Sequence, residues 1–179
     1  YRVLIGVTLK TLGYSMNETD PDILAQAKEK LMPLYKNIRT FGDMEAYAAM
    51  QSGEASVGFL FTPFASLLMQ EFPQYKQVYP KEGLAFGIDG FVLTAASQNV
   101  ESAHAFLNYL MDAKVAAHDA EYQAYMCVNK AAEAELSADY WANPAYNPPE
   151  EMLKNAEYVK NIGDADSLYA DIYAAVKLQ

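Results

Sequence analysis

Asp89 is the residue most able to hold a charged ligand, because it stands alone as a carboxylate inside the apolar run Phe86-Gly87-Ile88-Asp89-Gly90-Phe91. An unpaired charge is costly to bury in such a run, so a donor from the protein or from a ligand must satisfy it. A cation would do so through a charge-assisted hydrogen bond. Aromatic side chains are abundant, with 14 tyrosines, and Tyr79, Tyr125, Tyr140, Tyr146 and Tyr158 fall in loops or at element ends. Rings in such places either box a ligand or pack core and rim with the hydroxyl left wet. Catalytic signatures are missing: the sequence has no phosphate loop, no glycine-rich dinucleotide turn, no nucleophile elbow and no His-Glu-x-x-His zinc motif. His104 and His118 lack a ligand-spaced partner and read as surface or helix-end residues. Cys127, the one cysteine, has no base near it in sequence and reads as a small apolar side chain rather than a nucleophile. No catalytic residue, metal site or cofactor is implied.

The 179 residues are 52% apolar and 20% charged, which suits a folded chain of one domain or two small lobes. A single cysteine excludes a disulfide scaffold. The net charge of −10 disfavours nucleic acid and anionic membrane surfaces as partners and fits either a cationic ligand or plain solubility. No apolar run approaches the roughly 18 residues of a membrane span. The opening Tyr-Arg-Val-Leu-Ile-Gly-Val has no leader pattern, and the expectation is a chain cut from a longer precursor.

The elements that must position these side chains alternate between helical and extended patterns. Val3–Leu12 is an apolar helix or strand closed by Gly13. Asp20 caps a helix with Pro21 at its first position and Ile23, Leu24, Ala27, Leu31 and Leu34 on one face. Helices are expected over Asp43–Ser52, Phe64–Glu71, Glu101–Met111, Val115–Tyr125 and Ser167–Lys177. Strands are expected over Ala55–Phe61, Val78–Pro80 and Phe86–Thr94, with Gly87 and Gly90 marking bends or close ligand approach. Ser137–Glu151, with Trp141 and three prolines, is an ordered loop holding at most one helical turn. Alternating helices and strands argue for α/β architecture.

Several landmarks in order carry a resemblance. Leu12-Gly13-Tyr14-Ser15 through Thr19-Asp20-Pro21, Gly53-Glu54-Ala55-Ser56-Val57-Gly58, Tyr79-Pro80-Lys81-Glu82-Gly83, Ala105-Phe106-Leu107-Asn108-Tyr109-Leu110 and Gly163-Asp164-Ala165-Asp166-Ser167-Leu168-Tyr169 together resemble the spermidine/putrescine-binding proteins of ABC importers. The resemblance spans essentially the whole chain and corresponds to the C-terminal half of those proteins. It implies a periplasmic-binding-protein-like fold of type II, an extracytoplasmic location, a polyamine held in an interlobe cleft and delivery to an ABC permease in the membrane. Residues 1–87 would form the first part of the second lobe, 88–133 would cross back into the first lobe, and 134–179 would return to the second.

By the same likeness Asp89 matches a carboxylate that holds a ligand ammonium, Tyr125 a cleft tyrosine, and Phe61 an aromatic position usually filled by tryptophan. The chain departs at Gly87, where another tryptophan is common, at Val159, where a glutamine often bonds the ligand, and at Val3, where a glutamate often faces an amine. These departures leave open a solute other than a polyamine. A hydrolase pairing Glu54 with Asp89 is the alternative from another class. Apolar surface on 88–133, left uncovered by the first lobe, would make a dimer or strand exchange an expected consequence.

Overall fold

The computed structural model describes residues 1–178, which divide into two compact units. The first unit comprises Tyr1–Ile38, Val78–Asp89 and the chain from Pro149 onward; the second comprises Arg39–Gln77 and Gly90–Pro148.

In the first unit, helices α1 (Arg2–Lys10), α2 (Pro21–Leu31) and α9 (Asp166–Lys177) pack together. Their apolar stripes supply the core: Ile5 and Leu9 from α1, Leu24, Ala27 and Leu31 from α2, and Tyr169, Ile172 and Val176 from α9. Each such aliphatic side chain contributes about 1.5–3 kcal/mol on leaving water. The helix starts and stops follow local chemistry. Asp20 accepts hydrogen bonds from the Asp22 and Ile23 amides, Pro21 opens α2, and Gly13, at φ +88°, turns the chain after α1. A 3-10 helix over Met32–Asn37 replaces the α-helical period there, which leaves Leu34 exposed rather than on the buried face. Beside these helices, β1 (Ala85–Phe86) runs parallel to β2 (Glu157–Tyr158). The Glu157 amide donates to the Leu84 carbonyl and the Val159 amide to the Phe86 carbonyl, both at 2.9 Å.

In the second unit, α3 (Asp43–Gln51) packs on α4 (Thr62–Glu71), and α5 (Val100–Leu110) leads into α6 (Ala113–Gln123). The short helices α7 (Ala138–Ala142) and, back in the first unit, α8 (Glu150–Leu153) give the proline-rich stretch more helix than its composition suggests. The core holds Ala117, Ala120, Ala124, Ala132, Leu136, Tyr140 and Tyr146.

Three expected strands are not strands here. Ala55–Phe61 and Val78–Pro80 are irregular, and of Phe86–Thr94 only Phe86 pairs. The physical reason is that a strand needs a neighbour: Val57, Ile88, Phe91 and Val92 carry β-forming side chains but are all largely exposed. Val3–Leu12, open between helix and strand in sequence, is helical because Ile5 and Leu9 recur at helical spacing on a face buried by α2 and α9.

Candidate ligand-binding site

Asp89 lies three residues beyond β1, in chain without regular secondary structure. It is exposed, and among the described residues it has no hydrogen-bond or ion-pair partner. The premise of a carboxylate sunk in an apolar strand is therefore corrected: water meets the charge, and no internal donor has claimed it. Phe61 and Tyr125 belong to the second unit. Phe61 is the N-cap of α4, where Pro63 in the first turn suits the helix start, and its ring is 48% exposed. Tyr125 follows Ala124, whose left-handed backbone at φ +59° ends α6, and its ring is 46% exposed. Half-exposed rings on element ends can receive the apolar spacer of a ligand.

The positions that depart from the binding pattern have distinct surroundings. A Cβ at Gly87 would meet nothing within 4 Å, so a larger side chain would have room. Val159 is partly buried, with its amide committed to the β1–β2 ladder, and Val3 is partly buried in α1.

Of the other tyrosines singled out by position, Tyr140 and Tyr146 are core residues, 5% exposed and stacked with ring centroids 4.6 Å apart. Tyr158 is exposed and packs against Phe86 with centroids 5.7 Å apart. Glu54 is engaged by Arg39, whose Nε and Nη2 both point at one carboxylate oxygen, so it is not a free acid or base. His104 and His118 are exposed, and Cys127 is partly buried against the second core.

Sequence reasoning missed two polar arrangements of the first unit. Lys10 Nζ, on a side chain only 7% exposed, donates to Glu157 Oε1 at 2.7 Å, while the Ser15 hydroxyl donates to Glu157 Oε2 at 2.6 Å. Burial opposes the charged form of Glu157, yet the hydrogen bonds from Lys10 and Ser15 outweigh it and hold the carboxyl below its ordinary value. The Arg2 guanidinium lies 4.3 Å above the centre of the fully buried Tyr169 ring, with Nη2 donating to Asn17 Oδ1 and to the Lys160 carbonyl. Partners up to 158 residues apart leave no local signal; the one trait that sets Arg2 and Lys10 apart in sequence is that they are the charged residues of an otherwise uncharged α1.

Residues 4–148 match the profile of the bacterial extracellular solute-binding protein family. The chain belongs to that family. It is 30% identical over 98% of its length to spermidine/putrescine-binding periplasmic protein 1 of Haemophilus influenzae and 31% identical over the same share to the spermidine/putrescine-binding periplasmic protein of Escherichia coli. It covers 49% and 51% of those two proteins, so it spans about half the length of these relatives. Among solved structures it is similar to the spermidine/putrescine ABC transporter substrate-binding protein PotD of Streptococcus pneumoniae, with a TM-score of 0.81 and 29% identity over 99% of this chain and 55% of that one. The periplasmic-binding-protein-like fold read from the landmarks is thus the fold of this family member, and the family's extracellular character agrees with the expected extracytoplasmic location. Among the described residues no helix is long and apolar enough to cross a membrane.

Proposed function

We propose that these residues belong to the solute-binding component of an ABC importer that takes a polyamine, with Asp89 as an ammonium anchor and Phe61 and Tyr125 as aromatic contacts. The observation that carries this reading is Asp89 itself, an exposed carboxylate without a partner among the described residues, three residues after the strand that pairs with β2. A polyamine asks for carboxylates at its ammoniums and aromatic faces along its methylenes, where dispersion and cation–π attraction act together. The names of the relatives, spermidine/putrescine-binding proteins in two organisms, support the same substrate class.

In this reading the lobes divide differently from the two compact units, with 1–87 and 134–179 serving one lobe and 88–133 the other, the ligand favours a closed state through contacts made only there, and a membrane permease receives it. The role is binding, with no bond made or broken. Exposed Ile88, Phe91, Val92, Phe106 and Tyr109 await cover from polypeptide equivalent to the half of the relatives that this chain does not match. Without it, pairing between copies is the alternative cover.

A second reading, a different small solute, is favoured by the loss of stacking and hydrogen-bonding groups at Gly87, Val159 and Val3. Thermal-shift and calorimetric titration of the natural polypeptide carrying these residues, with spermidine, putrescine and a panel of amino acids, separates the two. Stabilisation by a polyamine that is lost in Asp89→Asn supports the proposal. Stabilisation by another solute supports the second reading, and polyamine binding untouched by Asp89→Asn removes Asp89 from the site.

A further inference from the structure

Tyr125 follows a turn closed locally by the Ala124 and Tyr125 amides, which both donate to the Ala120 carbonyl, but the turn carries a backbone cost. Ala124, just before it, holds a left-handed backbone that a residue with a Cβ adopts at a cost of about 1–2 kcal/mol. Such a conformation persists where the surroundings over-determine it. To the local bonds, one buried hydroxyl adds two from a distance. Tyr140 Oη accepts from the Cys127 amide at 2.7 Å and donates to the Tyr125 carbonyl at 3.0 Å, so it bonds the main chain of the ligand candidate and of the residue two positions on.

Tyr140 is itself fixed from several sides. Its amide donates to the Ser137 hydroxyl, which caps α7, and the Ser137 amide donates to Glu121 Oε1 at 2.7 Å. Its ring stacks on Tyr146 and meets Trp141 edge-on with centroids 5.5 Å apart. The Tyr146 hydroxyl bonds the Ser66 hydroxyl, which is fully buried in α4 and also accepts from Asn143 Nδ2 at 2.8 Å. Phe61 caps the same helix. Burial holds the Tyr140 hydroxyl above its ordinary pKa, so it stays neutral and keeps the proton it donates. A phenylalanine would fill the same core space; among the described residues the hydroxyl bonds the main chain at Tyr125 and Cys127.

The geometry points to Tyr140 as the positioning residue for Tyr125: its hydroxyl clamps the turn that presents that ring and, through Tyr146 and Ser66, ties it to the helix that carries Phe61. The clamp stands on these contacts alone; its consequence for ligand binding rests on the polyamine reading above.

Amide hydrogen exchange and spermidine calorimetry on the natural polypeptide test it with Tyr140→Phe, Tyr125→Ala and the double variant. In the unmodified protein the Cys127 amide should exchange far more slowly than the neighbouring Met126 and Val128 amides, for which the structure gives no acceptor among the described residues. Tyr140→Phe should raise Cys127 exchange at least about tenfold and weaken spermidine binding roughly fivefold, with no further weakening when Tyr125 is already alanine. A merely structural hydroxyl would lower the melting temperature but would give additive binding losses in the double variant, and that result overturns the positioning role. Cys127 exchange equal to that of its neighbours in the unmodified protein, or unchanged in Tyr140→Phe, overturns the clamp. If the unmodified protein gives no heat with spermidine, the polyamine reading falls and the exchange arm alone decides the clamp.

Discussion

Lys10 Nζ and Glu157 Oε1 lie 2.7 Å apart although 147 residues separate them, and this contact joins the last turn of α1 to strand β2. With Ser15 and the Met16 amide also directed at Glu157, one carboxylate gathers the start, the turn and the late return of the first unit. Glu157→Gln would leave the nearly buried Lys10 ammonium without its countercharge and should cost about 2 kcal/mol at neutral pH. The folded pKa of Glu157 is depressed, so its stabilisation is complete above the unfolded carboxyl value of about 4.3 and is lost as pH falls through the lower folded value. The gap in melting temperature between the unmodified protein and Glu157→Gln should therefore be full at pH 7 and close on acidification. A gap that stays constant down to pH 3 would show that the ionised pair contributes nothing.

Gly83 ends the turn after Pro80, where its amide donates to the Pro80 carbonyl at 3.1 Å just before β1. Its φ is +107°, and a Cβ built there would fall on the backbone carbonyl of Asn155. Neither strain nor overlap can be relieved by a side-chain rotation, so Gly83→Ala should destabilise the fold by about 2–4 kcal/mol, beyond the usual surface substitution. Chemical denaturation measures this directly. A loss below about 0.5 kcal/mol would mean that the turn and the chain at Asn155 move apart freely.

What the sequence reveals of this molecule divides along the range of the forces involved. Local chemistry was legible: the Asp20-Pro21 helix start, the Gly13 stop and the amphipathic stripes of α2 and α9 follow from neighbours within a few residues. Strands were not, because pairing depends on partners far along the chain, and Ala55–Phe61 carries the right side chains without an observed partner. The same range limit hid Tyr169. Its ring is buried beneath Arg2, and its hydroxyl donates to the Glu18 carbonyl at 2.7 Å, a contact spanning 151 residues. Asp89 was legible as a residue worth watching and not in its setting, since exposure cannot be read from apolar neighbours that are themselves exposed. Loop tyrosines could not be sorted by position: Tyr140 and Tyr146 are core, whereas Tyr125 keeps half its ring in solvent.

Phe91 and Phe106 meet edge to face with centroids 6.4 Å apart, yet they are 74% and 53% exposed. Such a patch drives association or dye binding when nothing covers it. The 179-residue chain alone should bind a hydrophobic dye and self-associate with rising concentration, and Phe91→Ser with Phe106→Ser should reduce both while changing stability by less than about 1 kcal/mol. Sedimentation alongside dye fluorescence reads the two effects. Equal behaviour of the chain and its double variant would place the sticky surface elsewhere.

Gly87 offers the sharpest separation between the polyamine reading and a different solute. The proposed polyamine contacts are Asp89 as anchor and Phe61 and Tyr125 as rings; position 87 offers no stacking face, and open space surrounds its backbone. Gly87→Trp supplies an aromatic face two residues before the carboxylate, and the φ of Gly87 is outside the left-handed region, so a side chain adds no backbone strain. A cation–π or methylene contact of about 1 kcal/mol should then tighten spermidine binding roughly fivefold. Phe61→Trp should act in the same direction through a larger face, and Phe61→Ala should weaken binding by about tenfold. Calorimetry of the three variants with spermidine and with the preferred amino acid of the panel distinguishes the cases. Gains confined to spermidine support the aromatic wall of a polyamine site; weaker spermidine binding in Gly87→Trp would mean that the native solute occupies the space that glycine leaves open.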